Sequence, residues 1–385
     1  MPTAPVRLAA ATAALAVVLS GCGQGANGGA RGETRASAAA SRDAAVRTAL
    51  RALVADGDAP GAAVLVRDGR GTRFTAAGAA DIRTGRPIHR NDHFRAGSLT
   101  KTVLAAATLR LAAQGRLRLD DSVERHLPGL VRGQGNDGRR ITLRQLLRHT
   151  SGLYDYTADP ELSRRLSRRL SAADTRTRTP ASLVRTAVSH RPYFRPGSGW
   201  RYSNTNYVLL GMVIQRVTGR PYADVSRRLV LRPLALDATS FPGARTTLPA
   251  PHGRAYAGED GARRDVTDLN PSAAGAAGEM VSTLDDLARL VSALQRGRVV
   301  DRTGLRTLRD TSGSHGRYGM GLFPVRLPCG VTLWGHNGEI PGSYALAVST
   351  ADGRRSLAYR LNSGARPSPA DESTLLKAAF CARSE

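Results

Sequence analysis

The sequence predicts an α/β chain of the α+β type, in which the N- and C-terminal segments form one antiparallel sheet flanked by helices. Short apolar runs of β character occur at residues 61–69 and 73–81, and again at intervals between 318 and 363. Between about 119 and 295 the pattern is instead that of helices and long loops. Strands at both ends and helices in the middle favour one sheet with an inserted, mainly helical lobe, and a cleft where the two meet.

The first 22 residues have the pattern of an export signal. After Arg7 the apolar run LAAATAALAVVL ends at Ser20-Gly21-Cys22, and it is too short to span a bilayer as a mature helix. Leu19-Ser20-Gly21-Cys22 resembles the lipobox of bacterial lipoproteins, whose cysteine becomes the lipid-bearing N-terminus. We therefore expect an exported lipoprotein, anchored through lipid on Cys22 to the extracytoplasmic face of a bacterial membrane. The alternative is an ordinary signal peptide with an incidental cysteine.

The rest of the chain divides into a linker and one domain. Residues 23–41 are small and polar, which predicts a flexible linker. Residues 42–385 are long enough to bury a large core, and their apolar and charged fractions are ordinary for a globular domain. The domain is predicted to begin with a helix at 43–55, followed by a hairpin whose turn lies around Gly69 and Gly71.

Two cysteines follow Cys22, namely Cys329 and Cys381. In an oxidising compartment an even number of cysteines favours a disulfide, so we expect these two to be paired. The alternative is a pair of buried free thiols. Intact mass with and without reductant separates the two, because the bridged protein is lighter by two hydrogen atoms.

The charge is strongly basic, with 56 Lys and Arg against 31 Asp and Glu. Such a balance raises the possibility of nucleic acid as a partner. However, the arginines are scattered, aromatic residues make up 5% of the chain, and no nucleic-acid-binding motif stands out. We therefore expect a solvated basic surface, no nucleic-acid partner, no metal site, no cofactor and a monomeric protein.

A buried helix is predicted to begin at Ser98, with Lys101 one turn later on the same face. Lysine occurs at two positions in the chain, Lys101 and Lys377, and arginine supplies the other basic residues. A lysine kept against this bias suggests a task that arginine cannot perform. Lysine becomes a base for a serine hydroxyl when burial lowers its proton affinity, whereas arginine stays charged in proteins.

Further motifs follow in a recognisable order. Tyr202-Ser203-Asn204 lies just before an apolar helix, His336-Asn337-Gly338 ends a predicted strand, and Leu146–Leu153 reads LLRHTSGL. A Ser-x-x-Lys pair, a polar triplet ending in Asn and a basic-x-Gly triplet on a strand characterise serine β-lactamases and penicillin-binding proteins. From about residue 43 to 385 the sequence resembles class C β-lactamases, D-alanyl-D-alanine carboxypeptidases and related esterases, and the resemblance implies their β-lactamase-like fold.

The resemblance implies catalytic roles for three side chains. Ser98 would be the nucleophile that becomes acylated, Lys101 its neighbour in proton transfer, and Tyr202 a general base or acid, as phenolate or phenol. The positive charge of Lys101 would favour the phenolate of Tyr202. Backbone N–H groups of Ser98 and Glu339 would form the oxyanion hole.

The same resemblance implies a substrate-binding set. Asn204 would bond the substrate amide, and His336, with Asn337 and Gly338 on the same strand, would supply an electropositive group. Together these assignments predict a serine hydrolase that acts through an acyl-enzyme.

The most specific prediction is a D-alanyl-D-alanine carboxypeptidase of peptidoglycan that also reacts with β-lactams. Two departures weaken that specificity. Gly321-Leu322 is followed by Phe323 rather than by the arginine that grips a substrate carboxylate in some relatives, and Glu339 is acidic. A class C-like β-lactamase, an esterase or amidase on small substrates, and a non-catalytic penicillin-binding or sensor lipoprotein remain open alternatives.

Overall fold

The computed structural model describes residues 27–55, 59–169, 176–258 and 263–381. The chain divides into two units, Met1–Arg42 and Asp43–Glu385. The predicted signal segment and Cys22 lie outside the described residues, so export and lipidation stay predictions. Of the helices in these ranges, none is both long and apolar enough to cross a bilayer.

The α-helices follow one another mainly through the first three quarters of the domain. In chain order they are α1 (Asn27–Ala55), α2 (Thr100–Ala113), α3 (Val123–His126), α4 (Leu143–Arg148), α5 (Pro160–Arg169), α6 (Pro180–Val188), α7 (Asn204–Thr218), α8 (Tyr222–Ser226), α9 (Leu284–Gln295), α10 (Arg302–Arg309) and α11 (Pro369–Phe380).

The first helix begins earlier than the sequence predicts. Composition indicated a flexible linker at residues 23–41 and a helix from Asp43, whereas α1 starts at Asn27. The stretch between Asn27 and Asp43 is rich in alanine, which has the highest helix propensity of any residue. From Asn27 on, the predicted linker is therefore helical.

The strands confirm the predicted antiparallel sheet. They are β1 (Gly61–Asp68), β2 (Gly71–Gly78), β3 (Phe94–Arg95), β4 (Arg132–Gly133), β5 (Asn136–Asp137), β6 (Tyr256–Ala257), β7 (Arg264–Asp265), β8 (Val281–Ser282), β9 (Phe323–Arg326), β10 (Thr332–Ile340), β11 (Ser343–Thr350) and β12 (Ser356–Leu361). The main sheet has the order β2-β1-β12-β11-β10-β9, so the two ends of the chain meet where β1 pairs with β12.

Helices cover both faces of this sheet. On one face α11 and the part of α1 that follows Asp43 pack with the side chains that alternate strand residues contribute, including Val64 and Leu346. On the other face α2 and α9 pack against the intervening residues, such as Ala63 and Ala347. With both faces covered, β11 is buried almost throughout, which explains why its sequence SYALAVST shows little alternation.

The sequence analysis predicted that α9 belongs to the inserted lobe at about 119–295. In the structure α9 instead packs on the sheet, against β11 and β12. Its apolar stripe meets the small side chains of Ala345, Ala347 and Ala358, which allow a helix to approach closely. Helical periodicity shows which face of a helix is buried but not which partner covers it.

Cys329 and Cys381 lie side by side, with Cα atoms 5.9 Å apart. This separation suits a disulfide. Cys329 lies in the turn between β9 and β10, and Cys381 directly follows α11, so a bridge would tie that helix to the sheet. The disulfide stays a prediction that the mass experiment described above decides.

Candidate active site

Ser98 lies in a 3₁₀ turn, Gly97–Leu99, that leads directly into α2. The preceding residues are fixed because β3 pairs with β8. Gly97 has a φ of +54°, and a Cβ at this position would lie 2.5 Å from the Glu339 nitrogen. Only glycine therefore permits both the turn and its close approach to β10.

The strand β10 lies directly against this turn. A Cβ built on Gly338 would lie 1.8 Å from the Ala96 carbonyl oxygen and 3.2 Å from the Ser98 nitrogen. Two glycines on opposite sides of one contact thus bring the backbone of β10 next to the serine. Gly338 contributes to the site by lacking a side chain.

The Glu339 N–H is aimed at the open edge of β10. A two-residue turn joins β10 to β11, so Ile340 and Ser343 form the closing hydrogen-bonded pair. Because bonded and non-bonded pairs alternate along an antiparallel ladder, the Glu339 N–H and C=O point away from β11. On that side β9 pairs with β10 as far as Gly335, which leaves the following edge to the serine turn.

The backbone segments that carry the N–H groups of Ser98 and Glu339 therefore lie side by side. The Ser98 N–H belongs to the first turn of a helical segment, where N–H groups have no intrahelical acceptor and the helix dipole favours negative charge. The predicted oxyanion hole requires two backbone N–H groups close together, and it stays a prediction.

Lys101 is completely buried beneath Ser98. Its Nζ lies 2.9 Å from Ser98 Oγ, 2.8 Å from Asn204 Oδ1 and 2.6 Å from the Ala277 carbonyl oxygen. Burial lowers the pKa of Lys101 to about 7, although the negative charge of Asp155 opposes the shift. A substantial fraction of the lysine is therefore neutral near pH 7 and able to accept a proton.

Asn204 joins Lys101 to a carboxylate that the sequence did not single out. Its Oδ1 accepts from Lys101, and its Nδ2 donates to Asp155, 3.0 Å from Oδ2 and 3.3 Å from Oδ1. The sequence predicted Asn204 as a partner for the substrate amide. In the structure both ends of its side chain are committed to neighbouring residues.

Tyr202 lies between Ser98 and the buried aromatic residues. Its ring centroid is 4.9 Å from Lys101 Nζ, and its hydroxyl interacts with the Ser98 side chain. Burial nevertheless raises the pKa of Tyr202 well above its ordinary value. The expectation that Lys101 stabilises the phenolate was wrong, because desolvation of the phenolate outweighs that attraction and Lys101 is itself partly neutral. Tyr202 is therefore a neutral phenol near pH 7.

His336 is buried and neutral, so the expectation of an electropositive group was also wrong. Its Nδ1 donates to the Asn337 carbonyl oxygen, so Nε2 is the unprotonated nitrogen and accepts from the Tyr318 hydroxyl at 2.9 Å. Burial, followed by the charge of Lys101, lowers the pKa of His336 to about 3. The polar atoms of the ring are used within the protein.

Asn337 points away from the serine. Side chains alternate along a strand, and Asn337 pairs with Leu346, which belongs to the core on the opposite face of the sheet. Its side chain interacts there with Tyr344. The sequence placed Asn337 among the substrate-binding residues, but the period of two separates its side chain from His336 and Gly338.

His149 is a further buried neighbour of Tyr202. The two rings stack with centroids 4.2 Å apart, and His149 Nδ1 accepts from the Ser203 N–H and the Asn206 amide. Burial, together with the charge of Lys101, holds the pKa of His149 well below its usual value. The imidazole is therefore a neutral platform beneath the tyrosine.

Sequence reasoning missed His149, Asp155 and the Ala277 carbonyl. His149 lies inside the run LLRHTSGL and Asp155 two residues after it, so the signal was present without an indication of role. A backbone carbonyl leaves no such signal. Within the ranges described above, no three His, Cys, Asp or Glu residues are grouped so as to hold a metal ion.

Comparisons with known proteins agree with this geometry. The profile of the Beta-lactamase family matches residues 46–380. Penicillin-binding protein 4* of Bacillus subtilis is 27% identical over 304 residues, covering 74% of this chain and 64% of that protein. Esterase EstB of Burkholderia gladioli is 37% identical over 187 residues, or 47% of each chain. The chain thus spans about half to two thirds of the length of these curated relatives.

Two solved structures match this chain over nearly their whole length. A D-stereospecific amidohydrolase from Streptomyces sp. is 43% identical, with a TM-score of 0.79, covering 88% of this chain and 98% of that one. The D-amino acid amidase of Ochrobactrum anthropi SV3, complexed with D-phenylalanine, is 28% identical with a TM-score of 0.76 and the same coverage. Family profile and fold coincide, so this chain belongs to the Beta-lactamase family and is a serine hydrolase.

Proposed function

We propose that the protein is an amidase that forms an acyl-enzyme on Ser98 and hydrolyses small amides, and the corresponding esters, of D-amino acids. The observation that carries this proposal is the neutral, hydrogen-bonded state of His336. A carboxypeptidase needs a cation to hold the carboxylate of its leaving group, and the third motif does not supply one. A leaving group without a carboxylate fits this side of the site better.

The neighbouring groups support the same conclusion. His149 is neutral, and Phe323 lies beside His336 with ring centroids 5.3 Å apart. On β10 the acidic Glu339 pairs with Arg366, so this arginine is already neutralised. The D-amino acid specificity is supported by the two solved relatives, which are a D-stereospecific amidohydrolase and a D-amino acid amidase.

Acylation begins at Ser98. Neutral Lys101 takes the hydroxyl proton while Ser98 Oγ attacks the amide carbon, and the N–H groups of Ser98 and Glu339 hold the oxyanion that forms. As the C–N bond breaks, the Tyr202 phenol gives its proton to the leaving nitrogen and regains one from the Lys101 ammonium. The products of this half-reaction are ammonia or an amine and the Ser98 ester.

Deacylation reverses these proton transfers with water as the nucleophile. Water attacks the ester carbon and gives its proton to the Tyr202–Lys101 pair, and the Ser98 oxygen leaves with a proton from the same pair. The acid is released and both side chains return to their starting states. The rate of this step separates an amidase from a protein that stays acylated.

The test compares four substrates with the purified protein: D-phenylalanine amide, L-phenylalanine amide, acetyl-D-alanyl-D-alanine and a chromogenic cephalosporin. We expect the D-amide to be hydrolysed, with release of ammonia, at a kcat/KM at least about tenfold above the kcat/KM for each of the other three substrates. The Ser98→Ala variant should hydrolyse none of them. Faster release of D-alanine from the dipeptide would support the carboxypeptidase instead. Rapid cephalosporin turnover would support a β-lactamase.

We also propose that the protein is exported and lipidated on Cys22, and that Cys329 and Cys381 are bridged. The signal-like segment supports the first, and the 5.9 Å Cα separation supports the second. Metabolic labelling with a fatty acid should be lost in Cys22→Ser. Light scattering of the domain tests the predicted monomer.

A further inference from the structure

Asp155 stands behind the proposed machinery without touching Ser98. We propose that Asp155 is a positioning residue: it fixes the orientation of the Asn204 amide and thereby aims the lone pair of Lys101 at Ser98. This inference rests on the proposed roles of Ser98 and Lys101. It adds a residue that neither the motifs nor the resemblance assigned.

The first step concerns the hydrogen bonds of neutral Lys101. A neutral amine has two N–H donors and one lone pair. The Asn204 Oδ1 and the Ala277 carbonyl oxygen are acceptors, at 2.8 and 2.6 Å, so they occupy the two donors. The lone pair is then left for Ser98 Oγ at 2.9 Å, which is the direction that proton removal requires.

The second step concerns the Asn204 amide. An amide group turned by 180° would present NH₂ to Lys101, and the lysine lone pair would then accept from Asn204 rather than from Ser98. Asp155 prevents this, because both of its oxygens lie within 3.3 Å of Asn204 Nδ2 and a carboxylate accepts hydrogen bonds without donating them. The amide oxygen is therefore the end that faces Lys101.

The third step concerns Asp155 itself, which is held firmly. Its Oδ1 accepts from the Thr157 N–H at 3.1 Å and the Thr157 hydroxyl at 2.9 Å, so it caps the 3₁₀ turn Tyr156–Ala158. Its own N–H donates to the Tyr193 hydroxyl at 3.2 Å. The carboxylate thus has a fixed position relative to Asn204.

Asp155 differs from the other titratable groups that face Lys101, because it carries a charge. The titratable groups that face the lysine come from several elements and are His149, Asp155, Tyr202, Tyr207 and His336. Burial keeps both imidazoles and both phenols neutral, whereas Asp155 contributes a negative charge that raises the lysine pKa. Removing that charge should lower the pH at which Lys101 becomes neutral.

The experiment measures kcat and KM against pH for the full-length protein and for Asp155→Asn and Asp155→Ala. Asn keeps an oxygen to cap the turn but removes the charge. We expect the acid limb of kcat/KM to move to lower pH by about one unit in both variants. In Asp155→Ala, which also frees the Asn204 amide, we expect kcat on the plateau to fall about tenfold with KM within about twofold.

Asp120→Asn is the matched control. Asp120 is 64% exposed and paired with Arg144, so its loss removes one negative charge without touching Asn204. Its profile should match wild type. If Asp155→Ala does not fold, Thr157→Val takes its place. It removes the hydroxyl that donates to Asp155 at 2.9 Å and accepts from Asn204 Nδ2 at 3.3 Å, and it should lower kcat in the same direction.

The outcomes separate the two proposals. If wild type shows no Ser98-dependent hydrolysis, the proposed function fails and the role of Asp155 falls with it. If wild type is active but neither the acid limb nor kcat changes in the Asp155 variants, the positioning role is overturned. It is equally overturned if the profile stays fixed while KM rises for substrates with a free α-amino group, because Asp155 would then bind the substrate ammonium.

Discussion

The site has two walls that are built in different ways. The helical wall consists of Lys101, Tyr202 and Asn204, and it works through the chemistry of side chains that are buried and bonded to one another. The strand wall consists of β10 residues Gly338 and Glu339, and it works through backbone. The first wall is therefore expected to be sensitive to the identity of its side chains, and the second to their volume.

This difference determines which kind of substitution should impair activity along each wall. Along the helical wall a substitution of similar size changes the proton chemistry, because the pKa of a buried group depends on its type. Along the strand wall a substitution changes the distance between two backbones. Each prediction below tests one wall against the other.

The largest effect is expected for Lys101→Arg. Arginine keeps a positive charge but cannot become neutral in a protein, so proton removal from Ser98 is lost. We expect kcat/KM to fall by about 10²–10⁴-fold. Ester hydrolysis by the purified variant, with circular dichroism to verify folding, measures it.

Lys377→Arg is the matched control, because Lys377 lies exposed on α11 and its variant should behave as wild type. Nearly full activity of Lys101→Arg would show that charge alone suffices, and the distinction between the walls would disappear.

The next effect is expected for Gly338→Ala on the strand wall. The new Cβ would lie 1.8 Å from the Ala96 carbonyl oxygen, so β10 and the serine turn must separate. We expect a loss of about 1–3 kcal/mol in the free energy of unfolding. Displacement of an oxyanion donor should lower kcat by about 10²–10³-fold. Urea denaturation and steady-state kinetics measure the two effects.

Gly69→Ala serves as its control, because a Cβ at Gly69, in the turn between β1 and β2, meets nothing within 4 Å. Wild-type kinetics in Gly338→Ala would mean that the close contact is not needed for catalysis. That result would contradict the expectation that the strand wall is sensitive to side-chain volume.

The extent to which the sequence predicts the site follows the same division. Ser98 and Lys101 were identified from their spacing and Tyr202 from the family resemblance, and the structure brings the three together. Their protonation states could not be predicted from the sequence, because the desolvation that shifts a pKa depends on tertiary packing. The phenolate of Tyr202 and the cationic His336 were the two errors, and both are consequences of burial.

The fold shows the same limit. Strands at both chain ends predicted the sheet correctly, since pairing of β1 with β12 needs little beyond the pattern of apolar runs. The packing of α9 on the sheet depends on three alanines from two strands, and that surface exists only after the strands have paired. Alternation along β10 was enough to predict that the Asn337 side chain points away from the serine. Its position in the motif nevertheless led to its assignment as a substrate-binding residue.

A smaller, graded effect is expected from pH. The base must be neutral, and burial places the pKa of Lys101 at about 7, so kcat/KM should fall tenfold per pH unit below about 7 and level off above it. The slope should be one, because the pKa of His336 is about 3 and that of His149 is also lowered. A slope of two, or a midpoint near 4, would contradict a single lysine base.

The smallest effect is expected for Glu339→Gln, which changes a side chain on the strand wall. Glu339 pairs with Tyr344 across the ladder, on the face turned away from the serine, and its carboxylate is 41% exposed and paired with Arg366. Exposed ion pairs contribute about 0–1 kcal/mol, and the N–H that we propose holds the oxyanion belongs to the backbone. We expect kcat for D-phenylalanine amide to stay within about threefold of wild type in Glu339→Gln and in Arg366→Ala. A loss of kcat beyond tenfold in Glu339→Gln alone would mean that the strand wall also acts through a side chain, and the comparison would have to be redrawn.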